Sequence, residues 1–168
     1  MIVTGLPRSR TAWFCEYFKG LGYHFKHEMI AEVETVNEYR ALLHGYGDCN
    51  TGYYLIHKCI DTQVVVIRNT ESRIKRIAEW AESTYGEPVL DNLILMEREN
   101  ANINGLHVWF DDIDGRLEEI TEYLIGVKPE REIMRHYIDL NIKTNRLSFD
   151  LNKAKRLIDD IQKTMQQH

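Results

Sequence analysis

Val64-Val65-Val66-Ile67-Arg68 is the stretch on which the fold turns. Four consecutive β-branched residues show no alternation of apolar and polar faces. Such a strand is buried on both sides, as in the middle of a parallel sheet. Upstream, Ile2-Val3-Thr4 is a second short apolar run, ending at Gly5. Trp13, Phe14, Tyr17 and Phe18 follow at helical spacing over 11–20, and the helix closes at Gly20 and Gly22. Tyr23-His24-Phe25 reads as a second strand and 31–43 as a helix, with Val33, Val36, Ala41 and Leu42 apolar. Residues 45–52, with three glycines, form the richest turn segment, and 53–59 fit either a helical turn or a strand. Downstream of Arg68, a helix is predicted from Thr70 to Thr84, and Pro88 opens another that runs to Asn102. Leu106-His107-Val108-Trp109-Phe110 reads as a fourth strand, with helices over 112–125 and 130–141.

This alternation describes an α/β fold, a small parallel sheet with helices on both faces. Ligands of such sheets bind beyond the carboxyl ends of the strands, where loops open into helices. Two junctions therefore matter, 4–13 and 67–76. The last predicted helix, 148–166, carries Leu147, Leu151, Ala154, Ile158, Ile161 and Met165 in a heptad seam. Residues 1–146 read as the main domain. Residues 147–168 read as an amphipathic helix that is part of the same domain, with a homodimer contact as the sharper alternative.

Composition sets the outer bounds. A chain of 168 residues has room for one domain of ordinary size. No run of about 18 apolar residues is present, so no membrane partner is expected. Met1-Ile2-Val3-Thr4-Gly5 lacks the basic start of an export signal, which places the chain in the cytoplasm as an expectation. Cys15, Cys49 and Cys59 contain no CxxC pair and argue against a disulfide framework or a zinc site. Lys and Arg number 21 against 26 Asp and Glu, a net charge of −5, which argues against nucleic acid as a partner. Basic residues are concentrated at the two junctions: Arg8 and Arg10, then Arg68, Arg73, Lys75 and Arg76.

At the first junction, Gly5-Leu6-Pro7-Arg8-Ser9-Arg10-Thr11-Ala12-Trp13 leads from a strand into a helix. A helix start offers free N–H groups and a partial positive charge, and Arg8 adds a forked donor suited to phosphate or sulfate. An ATP loop reads G-x-x-x-x-G-K-[ST]. Here those last three positions are Arg10, Thr11 and Ala12, so the lysine and the magnesium-holding hydroxyl are both missing. A ligand with a 5′-phosphate and no metal requirement fits better than ATP.

The same stretch resembles the 5′-phosphosulfate loop of the P-loop sulfotransferases, G-x-P-[KR]-S-G-T-T-W. Pro7-Arg8-Ser9-Arg10-Thr11-Ala12-Trp13 is most similar to short sulfotransferase-like proteins of phages and bacteria. The resemblance implies a P-loop NTPase-like three-layer sandwich. It also implies 3′-phosphoadenosine 5′-phosphosulfate (PAPS) as a nucleotide donor, whose sulfonate passes to a small-molecule or glycan hydroxyl or amine. It places Arg8 at the transferring sulfonate, with Ser9, Thr11 and the loop amides at the 5′-phosphate. Arg10 stands for the family's glycine and Ala12 for its second threonine. Arg68 matches the arginine that binds the 3′-phosphate. The family's serine eight residues later is Arg76 here, with Ser72 one turn nearer the strand. His27-Glu28 falls where such proteins carry a catalytic base; Glu28 is the first candidate and His27 the second. Gly47-Asp48-Cys49 looks like a connecting loop of these proteins. Arg73 and Lys75 read as a solvated helix face beside Glu71 and Glu79. Two other functions remain open: a nucleotide or small-molecule kinase of the same fold, and a non-catalytic nucleotide-binding or interaction protein.

Overall fold

The computed structural model describes residues 1–142 and 150–166. Its strands are β1 (Ile2–Gly5), β2 (Phe25–His27), β3 (Gly47–Asn50), β4 (Val64–Arg68) and β5 (Leu106–Trp109). They form one sheet in the order β2-β3-β1-β4-β5, every pair parallel. The helices are α1 (Thr11–Gly20), α2 (Val36–Leu43), α3 (Glu71–Tyr85), α4 (Leu90–Ala101), α5 (Leu117–Ile125), α6 (Arg131–Ile138) and α7 (Leu151–Gln166).

Strand alternation divides the core between the two faces of the sheet. Val3, Val65 and Ile67 pack with Phe14 and Phe18 of α1 and with Leu117 and Ile120 of α5. Ile2, Val64 and Val66 pack on the other side with Tyr39 of α2, Ile103 after α4, and Leu157 and Ile161 of α7. The expected continuous burial of β4 is observed: Val64, Val65, Val66 and Ile67 are each 0–1% exposed. Crossovers carry the chain from β1 through α1 to one edge of the sheet, and from β4 through α3 and α4 to the other. The strand order therefore reverses between adjacent β1 and β4, the point at which sheets of this kind bind ligands beyond their carboxyl edge.

Several expectations are corrected. Residues 47–50, read as turn and loop, are the fully buried strand β3. Their turn-like composition hides a strand whose polar side chains are satisfied internally: Asp48 accepts from Tyr39 Oη (2.7 Å), Asn50 Nδ2 (2.8 Å) and the Met29 amide (3.0 Å). Gly47 is required because a Cβ there would collide with the Phe25 ring. The second strand is Phe25–His27 rather than 23–25, a two-residue shift that keeps the same residues on each face. The helix expected over 31–43 divides into a 3-10 turn at Met29–Glu32 and α2, whose start is capped by Thr35 Oγ1 accepting from the Glu38 amide at 3.1 Å. Residues 53–59 form two short 3-10 turns.

In α7 the buried positions are Leu157 and Ile161, while Leu151, Ile158 and Met165 of the expected seam are exposed. Leu147 lies outside the described residues. The helix packs on its own domain: Asp160 accepts from the Val36 amide at 2.8 Å, and Arg156 pairs with Glu34 at 2.7 Å. Among the described residues, no helix is long and apolar enough to cross a membrane.

Candidate functional site

The loop leaving β1 is tightly wound. A Cβ on Gly5 would meet Ile67 O at 2.9 Å, so only glycine lets β1 end so close to β4. Arg8 and Arg10 both have left-handed backbones, with φ of 64° and 63°. That region is sparsely used by residues with a Cβ, and such conformations persist where the surroundings hold them. The first bond of α1 runs from the Phe14 amide to Arg10 O at 2.9 Å. The amides of Arg10, Thr11, Ala12 and Trp13 therefore lie ahead of the first intrahelical donor, the position at which helix geometry offers N–H groups to an anion.

Side chains around the loop divide into two kinds. Ser9 is fully buried and tied down: its amide donates to Leu6 O at 3.1 Å, and its hydroxyl exchanges bonds with the Asn69 side chain at 3.1 and 3.3 Å. Trp13 is core, its Nε1 donating to Tyr137 O at 2.8 Å and its ring stacked on Tyr17. Arg10 lies over the Trp13 ring and pairs with Asp114. Pro7 and Ala12 are half-buried, and Arg8 is exposed, its guanidinium 4.5 Å from the centre of the Trp80 ring.

The loop after β4 braces the first one. Arg73, at the start of α3, donates through Nη2 to Arg8 O at 2.7 Å and through Nε to Asn69 Oδ1 at 2.8 Å. Its guanidinium carbon lies over Phe110, 3.1 Å from the ring centre. The expected solvated side chain is thus a half-buried bridge between the two junctions. Arg8, Arg73 and Arg76 line a pocket of about 120 Å³ with Ile77 at its wall. Burial, with the like charges of Arg76 and Arg8, lowers Arg73 to about 10 against the pull of Asp111. Arg68 has a different setting: its Nε donates to the buried Glu97 carboxylate at 2.7 Å, which also accepts from the Asn69 amide at 3.0 Å. Ser72 is exposed and bonded to Thr70 Oγ1 at 3.2 Å.

The third part lies at the ends of β2 and β3. His27 Nε2 is 3.2 Å from Thr11 Oγ1 and 3.8 Å from Glu28 Oε1. Both Glu28 oxygens accept from the Thr51 amide, at 3.0 and 3.2 Å, and Glu28 has a left-handed backbone with φ of 58°. Burial raises Glu28 to about 7, eased by the Thr51 bond and reinforced by Asp48, and raises Asp48 to about 6. Burial lowers the imidazole of His27 below its ordinary value, which favours the neutral ring at pH 7. A neutral imidazole beside Thr11 and, next to it, a carboxyl raised to about 7 are groups able to take a proton.

The structure therefore gathers Arg8, Arg10, Thr11, His27, Glu28 and Arg76 around one edge of the sheet. It turns Ser9 and Trp13 inward and binds Arg68 to an internal carboxylate. Sequence reasoning missed Asn69 and Arg73 as braces; the available signal was Arg73 three residues before Arg76, on the same helical face, with Trp80 one turn on. A second cavity of about 340 Å³ lies at the amino edge of the sheet, lined by Tyr53, residues 57–62 and residues 102–104, away from these loops. Among the described residues, no group of three or more His, Cys, Asp or Glu side chains is placed to hold a metal ion. The chain matches no known family model, and no curated protein matches its sequence.

Proposed function

We propose that this chain is a small sulfotransferase that moves a sulfonate group from PAPS to an acceptor hydroxyl or amine. The observation that carries this reading is the β1–α1 loop, left-handed at Arg8 and Arg10, set at the carboxyl edge beside Arg73 and Arg76 and facing His27 through Thr11. On this reading the α1 amides hold the donor's 5′-phosphate, and Arg8 offsets charge on the sulfonate oxygens and the leaving phosphate. The acceptor oxygen or nitrogen attacks sulfur, and the bond from sulfur to the 5′-phosphate oxygen breaks. Adenosine 3′,5′-bisphosphate leaves with that electron pair, and His27 or Glu28 takes the acceptor's proton. Because Ala12 stands where an ATP loop has its magnesium-holding hydroxyl, this ligand suits the loop better than magnesium-ATP.

Titration calorimetry with PAPS, adenosine 3′,5′-bisphosphate and magnesium-ATP tests the proposal. The expected result is binding of the first two and none of the third. Binding of magnesium-ATP alone would reject sulfonate transfer and favour a kinase. If none binds at millimolar concentration, the nucleotide reading fails altogether.

A further inference from the structure

We propose that Asn69 is a positioning residue: without touching a ligand, it sets the shape of the β1–α1 loop and, through that shape, its affinity. Strain is the starting point. Arg8 and Arg10 hold left-handed backbones, at φ of 64° and 63°, and residues with a Cβ stay in that region where their surroundings keep them there. Arg10 has its own anchors in Asp114 and the Trp13 ring. Arg8 and Ser9 both lead to one buried side chain. The Ser9 hydroxyl exchanges hydrogen bonds with the Asn69 carboxamide, at 3.1 and 3.3 Å. The carbonyl oxygen of Arg8 accepts from Arg73 Nη2 at 2.7 Å, and Nε of the same guanidinium donates to Asn69 Oδ1 at 2.8 Å.

Asn69 is itself firmly placed. It is 3% exposed and follows β4 directly. Its amide donates to Glu97 Oε1 on α4 at 3.0 Å, and its Nδ2 donates to Ile67 O at 3.3 Å. Glu97 is buried too, and Arg68 Nε donates to the same carboxylate oxygen at 2.7 Å. One carboxamide therefore ties the loop to β4, α3 and α4. These bonds need a donor and an acceptor on one short planar group; leucine offers neither, and aspartate offers acceptors alone. A loop already held in its bound shape loses less freedom when a ligand arrives, which raises affinity without an added contact. The step from loop shape to affinity rests on the reading of this loop as the receiver of the donor's 5′-phosphate; the hold of Asn69 on the loop does not.

Two measurements on the full chain test it. In amide nitrogen NMR relaxation, Arg8 and Ser9 should be as rigid in the wild type as the strands, with order parameters of ~0.85. In Asn69→Ala they should fall below ~0.6 while Val65 and Val66 stay rigid. Asn69→Asp keeps acceptors for Arg73 Nε and the Ser9 hydroxyl, so it should restore the order of the loop. In calorimetry, Asn69→Ala should weaken binding of adenosine 3′,5′-bisphosphate about tenfold. Ser9→Ala combined with Asn69→Ala should bind no more weakly than Asn69→Ala alone, because the two side chains act through one contact. Should Asn69→Ala fail to fold, Ser9→Ala carries the same relaxation test, since it cuts the link to the loop and leaves Asn69 bound to Arg73 and Glu97. Loop amides as rigid in these variants as in the wild type overturn the proposal, and so does full affinity in a loosened loop. If the wild type binds no nucleotide while the relaxation pattern is as expected, the sulfotransferase reading falls and the hold of Asn69 on the loop stands.

Discussion

The carboxyl edge of the sheet has two halves that treat charge in opposite ways. At the ends of β2 and β3, Glu28 and Asp48 are acidic and largely buried; Asp48 accepts from three donors and Glu28 from the Thr51 amide. At the ends of β1 and β4, Arg8 and Arg76 are exposed and Arg73 is held beside them with no carboxylate bound to it among the described residues. Buried polar groups with complete hydrogen bonding serve structure, because leaving one unpaired costs more than the bond contributes. Among the described residues, the guanidinium groups of Arg8 and Arg76 in the basic half are not tied into such a network, and Asp111 is near Arg73. On the proposed function, the acidic half builds the site and supplies a proton acceptor at its margin, while the basic half receives the donor.

The largest effect expected from breaking this contrast is on the acidic side. Asp48→Ala leaves Tyr39 Oη and the Met29 amide without their acceptor inside the core and Asn50 Nδ2 with Tyr39 Oη alone. Urea unfolding should show a loss of about 3 kcal/mol, since each buried unpaired group costs ~1–3 kcal/mol and the network relaxes only in part. A loss below ~1 kcal/mol would mean that the carboxylate is not what organises β3. On the basic side, Arg8→Ala should do the reverse. Stability should change by less than ~0.5 kcal/mol, because an exposed guanidinium over an indole contributes little. Affinity for adenosine 3′,5′-bisphosphate should fall about tenfold, equivalent to ~1.4 kcal/mol. If Arg8→Ala instead unfolds the protein with its affinity intact, the two halves have been assigned the wrong way round.

The same contrast explains what could be read from the sequence. β4 was legible because burial on both faces leaves an unbroken β-branched run at Val64–Ile67, and Gly5 with Arg8 marked the loop because strand, glycine and basic residue are contiguous. β3 was illegible because Gly47, Asp48 and Asn50 carry turn chemistry, and their strand role depends on Tyr39, Met29 and Phe25, partners set by the fold. Arg73 was misread for a related reason: local spacing offered it Glu71, Glu79 and solvent, while its real contacts, Arg8 O and Phe110, come from other strands' loops. Arg68 was correctly placed at a strand end, yet its partner Glu97 lies on α4 and its capture could not be inferred from position. On α7 the helix was legible but its seam was not: Leu151, Ile158 and Met165 are exposed, and Leu157, outside the seam, is buried with Ile161.

The smallest expected effect sharpens the boundary between the halves, where Glu28 touches both Thr51 and His27. Glu28 is raised to about 7 from its ordinary 4.5, chiefly by burial, and Asp48 is raised to about 6. Between those ordinary and raised values the folded protein binds more protons than the unfolded chain, so stability falls as pH rises. His27 is lowered, so its own contribution has the opposite sign, stability being lost as pH falls below its ordinary 6.5. Glu28→Gln leaves His27 in place and keeps an oxygen for the Thr51 amide while removing the charge. Its unfolding free energy should therefore decline less steeply than that of the wild type from about pH 5 to pH 7, by ~1 kcal/mol per pH unit. Parallel slopes in the two proteins would show that Glu28 stays ionised throughout. Glu28 would then be a fixed anion holding the β3 end, and His27 alone would remain to take the acceptor's proton.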